Sequence, residues 1–175
     1  MKVLGLLRHA KSDVDDIALR DFDRGLNGKG RRGAAAIGAH MRESGLVWDR
    51  VIASPAERVR ATIAASGLSP APQFDERLYL ADVATLMAVL REAEGDRVLL
   101  VGHNPGLQEM VFRVVDPEHE NALFEAASEK FPTATLAVIE LDIADWPDIS
   151  AGCGRLTHFA RPRDLDPALG PEQKH

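Results

Sequence analysis

Three short apolar segments, each followed by polar residues and then by a helical pattern, constrain this chain more than any other feature. They cover residues 3–7, 51–53 and 98–101. Segments this short fit buried strands and are far below the roughly 20 apolar residues that a membrane-spanning helix requires. Strands that alternate with helices favour a parallel sheet with helices on both faces. We therefore predict an α/β fold of three layers, α/β/α, with a mostly parallel central sheet.

Signals for the start of a helix follow two of these segments. Ser54, Pro55 and Glu57 match an N-cap, a first helical residue and the acidic partner of a capping box. This pattern predicts a helix that begins at Pro55. Asn104 and Pro105 repeat the N-cap and first-turn pattern after the third segment.

The remaining segments complete the predicted sheet and its covering helices. Capping residues and helical periodicity predict two further helices, over residues 27–44 and 82–95. Residues 70–74 contain two prolines and therefore fit an edge strand. Residues 135–141 and 155–159 fit two more strands, and the loop between them favours antiparallel pairing.

The chain length and its ends predict one domain with a short tail. For 175 residues one domain is the default, and we expect it to cover residues 1–160. Residues 161–175 contain three prolines and few apolar residues, so we expect a tail that packs peripherally or is disordered. The N-terminal apolar run breaks at Arg8, too early for a signal peptide, which makes a cytoplasmic location the default expectation. Cys153 is the single cysteine, so no intramolecular disulfide can form.

The charge distribution points to a local anion site. A net charge of −6 argues against general binding to nucleic acid or to anionic membranes. Parallel strands place their carboxyl ends at one edge of the sheet, where open α/β sheets bind ligands. Four residues suited to bind phosphate follow the strand ends: Arg8, His9, Arg58 and His103. A neutral imidazole can also attack phosphorus, so the sequence predicts phosphoryl transfer, with either histidine as the nucleophile.

Three motifs at these strand ends resemble those of a known family. Residues 7–12 (LRHAKS), 54–58 (SPAER) and 101–106 (VGHNPG) are similar to the signatures of the histidine phosphatase superfamily, whose fold is phosphoglycerate mutase-like. The small size and the absence of a large inserted lid resemble the SixA-type phosphohistidine phosphatases. The resemblance extends over residues 2–160. Ala10 departs from the common Arg-His-Gly motif, and this change removes no catalytic group.

The resemblance implies a role for each motif residue. His9 would be the nucleophile that becomes phosphorylated. Arg8, Arg58 and His103 would bind the phosphoryl oxygens and stabilise the transition state. Glu76 matches the position where mutase-like members carry their proton donor. The family needs no metal, and no other cofactor is implied.

The loop after the first strand is open to two interpretations. Ser12, together with Lys11, is either a secondary phosphate ligand or an ordinary loop residue. Residues 12–27 are polar and rich in aspartate, which fits a solvated loop that could cover the site. The aspartate spacing fits no calcium-binding pattern.

Several functions are compatible with these residues. The first is a metal-independent phosphatase that acts through a phosphohistidine intermediate. Its substrate would be a phosphohistidine-bearing protein. Alternatively it would be a small phosphate ester, which would make the enzyme a metabolite phosphomonoesterase. The second is a non-catalytic module that binds a phospho-ligand. A zinc hydrolase that uses His9, His103 and Glu76 is a weaker alternative, because two arginines would repel the metal and no His-x-x-x-His pair exists. No nucleic-acid or membrane partner is expected, and the sequence defines no oligomeric state.

Overall fold

A single six-stranded sheet organises the computed structural model, which describes residues 1–13 and 18–171. The strands in this part of the chain are β1 (Lys2–Arg8), β2 (Arg50–Ala53), β3 (Gln73–Phe74), β4 (Arg97–Gly102), β5 (Leu136–Leu141) and β6 (Gly154–Ala160). The α-helices are α1 (Gly28–Glu43), α2 (Glu57–Ser66), α3 (Val83–Arg91), α4 (Gly106–Val114), α5 (Ala122–Glu129) and α6 (Pro162–Leu165). The strand order is β3-β2-β4-β1-β5-β6. The predicted α/β fold class is therefore confirmed.

The pairing of the strands brings three carboxyl ends to one edge. β4 pairs in parallel with β1 on one side and with β2 on the other, whereas β5 runs antiparallel to both β1 and β6. Arg8 lies opposite Gly102, and Ala53 lies opposite Val101. The ladders continue one residue further, because the His9 amide donates to the Gly102 carbonyl at 3.0 Å. The residues that follow β1, β2 and β4 consequently meet.

Alternating side chains of the central strands pack into two hydrophobic cores, one on each face of the sheet. Leu99 and Val101 of β4 face the core formed with α1 and α2, whereas Val98 and Leu100 face the core formed with α3 and α4. All four side chains are at most 1% exposed. Burying an aliphatic side chain of this size contributes about 1.5–3 kcal/mol. Because both faces of the sheet are covered, a continuous apolar run such as β4 is the expected strand sequence.

The predicted start of α2 is wrong by two residues. The helix begins at Glu57, and its N-cap position is occupied by Ala56, without a side-chain cap. Ser54 instead continues the sheet, where its amide donates to the Val101 carbonyl at 3.0 Å. Its hydroxyl is hydrogen-bonded to the His103 ring at 2.7 Å. The same hydroxyl also accepts from the Ala56 amide at 3.3 Å, but the predicted capping box with Glu57 does not form.

The other capping predictions hold with one shift. Asn27 accepts a hydrogen bond from the Gly30 amide at the start of α1, and Asp82 caps α3 in the same way. In α4 the N-cap position falls on Pro105 rather than on Asn104. The Asn104 carboxamide still accepts from an amide of the first turn, that of Gln108, at 3.2 Å.

The chain beyond β6 returns to α1. α6 packs against α1, and Lys29 of α1 donates to the Gly170 carbonyl. Residues 172–175 of the expected tail lie outside the described residues, and the division into a domain and a tail stays a prediction. Over residues 1–13 and 18–171, none of the helices has the length and apolar content that crossing a membrane would require.

Candidate active site

His9 follows β1 and lies at the floor of the candidate site, only 8% exposed. Its Nδ1 lies 2.7 Å from the Ala10 carbonyl oxygen, which can only accept, so Nδ1 donates and carries the proton. Burial, together with the nearby Arg58 and Arg8 charges, lowers the pKa of His9 to about 4. No described residue forms a hydrogen bond with Nε2. The ring is therefore neutral at pH 7 and keeps an unprotonated nitrogen free to react.

The loop that carries His9 is tied to α2. The Ala10 amide donates to the Thr62 hydroxyl at 2.9 Å, and that hydroxyl donates to the Arg58 carbonyl at 2.6 Å. Ala10 is fully buried in the core formed with α1 and α2. Its methyl group is thus accommodated by packing, which explains how this chain uses alanine at a position where the family motif has glycine.

His103 follows β4, and both of its ring nitrogens have protein partners. Arg58 Nη2 lies 3.3 Å from Nδ1, and Ser54 Oγ lies 2.7 Å from Nε2. A guanidinium only donates, so Nδ1 accepts and the proton of the neutral ring is on Nε2. Burial, with His9 and Arg58 nearby, lowers the pKa of His103 to about 3. His103 is held as a neutral ring, with its centroid 5.4 Å from that of His9.

Two arginines lie near these rings. Arg8 donates from Nη1 to the Phe131 carbonyl at 2.9 Å, while its Nε is buried without a partner among the described residues. Burial and the adjacent Arg58 charge lower the pKa of Arg8. Arg58 is itself only 6% exposed. Arg58 is buried and Arg8 is half-buried, and two like charges held this close create a preference for an anion near both.

Sequence reasoning missed Asp21 and Tyr79, which close this cluster. Asp21 Oδ2 accepts from Arg58 Nη2 at 3.0 Å and from the Tyr79 hydroxyl, and its backbone carbonyl accepts from Arg58 Nη1 at 2.7 Å. Asp21 is thus a loop residue with tertiary partners, although its side chain stays partly exposed to solvent. Residues 14–17 of the same loop lie outside the described residues. One aspartate among several in a polar loop carries no local signal, so the sequence could not single it out.

The structure does not join Glu76 or Ser12 to this cluster. Glu76 is exposed in the one-turn segment Glu76–Leu78, and its carboxylate makes no hydrogen bond or ion pair with any described residue. Ser12 is half-buried and forms an isolated bridge with Leu26. Within the described ranges, no group of three or more histidine, cysteine, aspartate or glutamate side chains is placed to hold a metal ion. The donor set that the zinc alternative needs is therefore not assembled in this part of the chain.

A cationic cleft opens next to Arg8. It has a volume of about 330 Å³ and lies between the start of α1, the loop before β5 and the segment after β6. Its lining includes Lys11, Lys29 and Arg163, and none of the described residues that line it is an aspartate or a glutamate. In a chain with an excess of acidic residues, this composition extends the positive potential of the site outward.

Known proteins are similar to this chain in sequence. The sequence model of the histidine phosphatase superfamily (branch 1) matches residues 4–79. The uncharacterized protein Rv1276c of Mycobacterium tuberculosis (strain ATCC 25618 / H37Rv) is 35% identical over 161 residues, which cover 90% of this chain and 100% of that protein.

Two solved structures are similar over almost the whole chain. A protein of Nakamurella multipartitia, assigned as the phosphohistidine phosphatase SixA, has 30% sequence identity and a TM-score of 0.81, covering 92% of this chain and 96% of its own. A protein of Agrobacterium tumefaciens with the same assignment has 29% identity and a TM-score of 0.75, covering 92% and 98%.

Proposed function

Since the chain belongs to the histidine phosphatase superfamily and is a SixA-type phosphatase, we propose that it hydrolyses phosphohistidine on a protein through a phosphorylated His9. One observation carries the proposal. His9 is a neutral ring with its proton on Nδ1 and an Nε2 that bonds to no described residue, and it lies beside Arg8 and Arg58, whereas both nitrogens of His103 have protein partners. The assignment of both similar structures as phosphohistidine phosphatases supports the same substrate class.

In the first step the Nε2 lone pair of His9 attacks phosphorus. The bond between phosphorus and the substrate nitrogen breaks, and its electron pair stays on the leaving imidazole. Arg8 and Arg58 stabilise the equatorial oxygens of the transferring group. His103, held by Ser54, keeps Arg58 directed at the same position.

In the second step water attacks the phosphorylated ring. The bond between Nε2 and phosphorus breaks, the two protons of the water stay on the released phosphate, and His9 returns to its neutral form with the proton on Nδ1. No metal takes part in either step.

The proton balance favours phosphohistidine over a phosphate ester. A phosphoimidazole that is protonated on its other nitrogen leaves as neutral imidazole without any proton transfer. An ester leaves as an alkoxide and needs a general acid. Among the described residues none of the groups around His9 fills this role: an arginine side chain does not act as an acid in proteins, the ring proton of His103 is directed at Ser54, and Glu76 is exposed without a contact to the cluster.

The test compares wild type with His9→Ala on a phosphohistidine-carrying protein and on 4-nitrophenyl phosphate, with EDTA present. His119→Ala removes an exposed histidine and serves as the matched control. We expect phosphate release and an acid-labile phosphoenzyme in wild type and in the control, and neither in His9→Ala. Turnover that survives in His9→Ala would refute the nucleophile. Binding without turnover in wild type would indicate a phospho-ligand module, and turnover of the aryl phosphate alone would indicate a phosphomonoesterase.

A further inference from the structure

A fixed carboxylate stands at the edge of the proposed phosphate site. Asp21 accepts hydrogen bonds from Arg58, Arg24 and the Tyr79 hydroxyl. These partners, the Tyr79 hydroxyl foremost, lower its pKa to about 2, so it stays ionised. A permanent negative charge beside a bound phosphoryl group is unfavourable by itself. A favourable interaction of Asp21 with another part of the substrate would offset this repulsion.

The position of Asp21 suggests which part of a substrate it meets. His9 is 8% exposed at the floor, whereas the Asp21 side chain is 42% exposed. An in-line displacement expels the leaving group on the side opposite the nucleophile. A group displaced by His9 therefore departs from the floor toward the open rim, where Asp21 lies next to Arg58.

An aromatic ring stands beside this carboxylate. The Tyr79 ring meets His103 edge-on, with 5.4 Å between centroids, and meets Phe22 edge-on at 5.1 Å. These contacts and the hydroxyl bond to Asp21 fix its orientation. A carboxylate together with an aromatic surface is a combination that binds cationic rings, through a charge-assisted hydrogen bond and a cation–π contact.

We propose that Asp21 and Tyr79 form a leaving-group subsite that binds the protonated imidazole ring of the substrate. The inference rests on the proposed function. The Asp21 carboxylate accepts the N–H of the substrate ring nitrogen that does not carry phosphorus, and so favours the imidazolium form. When His9 displaces the phosphoryl group, the electron pair of the broken bond neutralises the ring, which leaves with that proton in place.

The subsite also determines which substrates are disfavoured. A leaving group that carries a carboxylate, such as the serine of free phosphoserine, would meet the Asp21 charge and be repelled. An uncharged aryl leaving group forms no charge-assisted hydrogen bond with Asp21. The phosphoryl group of such a substrate is only repelled by the Asp21 charge. Preference for phosphoimidazoles thus follows from one carboxylate.

The test uses Asp21→Asn, which keeps the size and the acceptor oxygen but removes the charge. The substrates are phosphoimidazole, which has no protein surface of its own, and 4-nitrophenyl phosphate. We expect kcat/KM for phosphoimidazole to fall about 10- to 100-fold, the range of a lost charge-assisted hydrogen bond, and kcat/KM for the aryl phosphate to stay equal or rise. Asp21→Glu, which restores the charge, should recover part of the preference.

Asp23→Asn is the matched control, because Asp23 lies in the same turn and, among the described residues, its carboxylate pairs with Arg20 alone. This variant should leave kcat/KM unchanged for both substrates. An equal fall for both substrates in Asp21→Asn would show that Asp21 merely orients Arg58, and a rise for both would show that it obstructs the site; either result overturns the subsite. Failure of the proposed function is distinguished separately, since wild type would then form no phosphoenzyme from phosphoimidazole.

Discussion

Acidification should leave the His9 ring neutral far below the pH at which a solvated histidine takes up a proton. Burial is the main cause of a pKa of about 4, and the Arg58 and Arg8 charges add to it. The Ala10 carbonyl fixes the remaining proton on Nδ1. A nucleophile that attacks through Nε2 needs a neutral ring with its proton on Nδ1, and these two features supply both.

Nitrogen NMR of the histidine side chains measures this directly, with His9→Ala used to assign the His9 signals. From pH 7 to pH 5 we expect the two ring nitrogens of His9 to show the neutral form protonated on Nδ1. The signals should change only near pH 4. A midpoint near the ordinary value of about 6.5, or a proton on Nε2, would refute the reasoning.

The same shift predicts a loss of stability in acid. The unfolded His9 ring titrates near pH 6.5. Between that pH and about 4 the unfolded chain therefore binds more protons than the folded chain, and the free energy of unfolding falls as the pH falls. At pH 5 the loss from His9 is about 2 kcal/mol, since each unit in this window costs about 1.4 kcal/mol. Urea unfolding at pH 7 and pH 5 should show this excess loss in wild type relative to His9→Ala; equal losses would contradict it.

Two further substitutions test the surroundings of the site. Ser54→Ala leaves the buried Nε2–H of His103 without an acceptor, so we expect about 1–3 kcal/mol lower stability in thermal unfolding and a clear fall in kcat with little change in KM; an unchanged kcat would argue against a role for the His103 orientation. Gly30→Ala would place its Cβ 2.1 Å from the Lys11 carbonyl oxygen, a backbone atom that cannot swing aside, so it should lower stability and activity together by displacing the loop that carries His9. Gly28→Ala is its control, because the nearest atom there belongs to a flexible arginine side chain at 3.4 Å, and equal behaviour of the two variants would contradict the steric argument.

The proximity of the three strand ends could be predicted, because a parallel sheet brings the carboxyl ends of its strands to one edge. Apolar runs of strand length separated by helices favour parallel pairing, and parallel pairing aligns carboxyl ends. Arg8, His9 and His103 could therefore be placed together before any coordinates. The tautomer of each ring could not be predicted from the sequence, because it depends on a hydrogen-bond partner that only folding brings close. That partner is the Ala10 carbonyl for His9 and the Arg58 guanidinium for His103.

Two causes limited the prediction of the other site residues: contacts made by loops, and competition between local and tertiary hydrogen bonds. Asp21 and Arg58 are far apart in sequence, and their pairing depends on the path of a polar loop that has no periodic pattern. At Ser54 the local sequence indicates a capping box, yet the serine continues the sheet and its hydroxyl bonds to the His103 ring. Glu76 matched the family pattern by position, but its exposed place could not be read from the sequence.

The strand order has a consequence for how this protein acquires activity during folding. β4 enters the sheet between β2 and β1, although it follows both in the chain. Until it inserts, the strands that carry His9 and lead to Arg58 are not neighbours, and His103 has no position. Such nonlocal pairing is slow compared with helix formation. A chain in which β4 has not yet paired therefore has no assembled phosphatase centre, and the first turnover marks the insertion of β4.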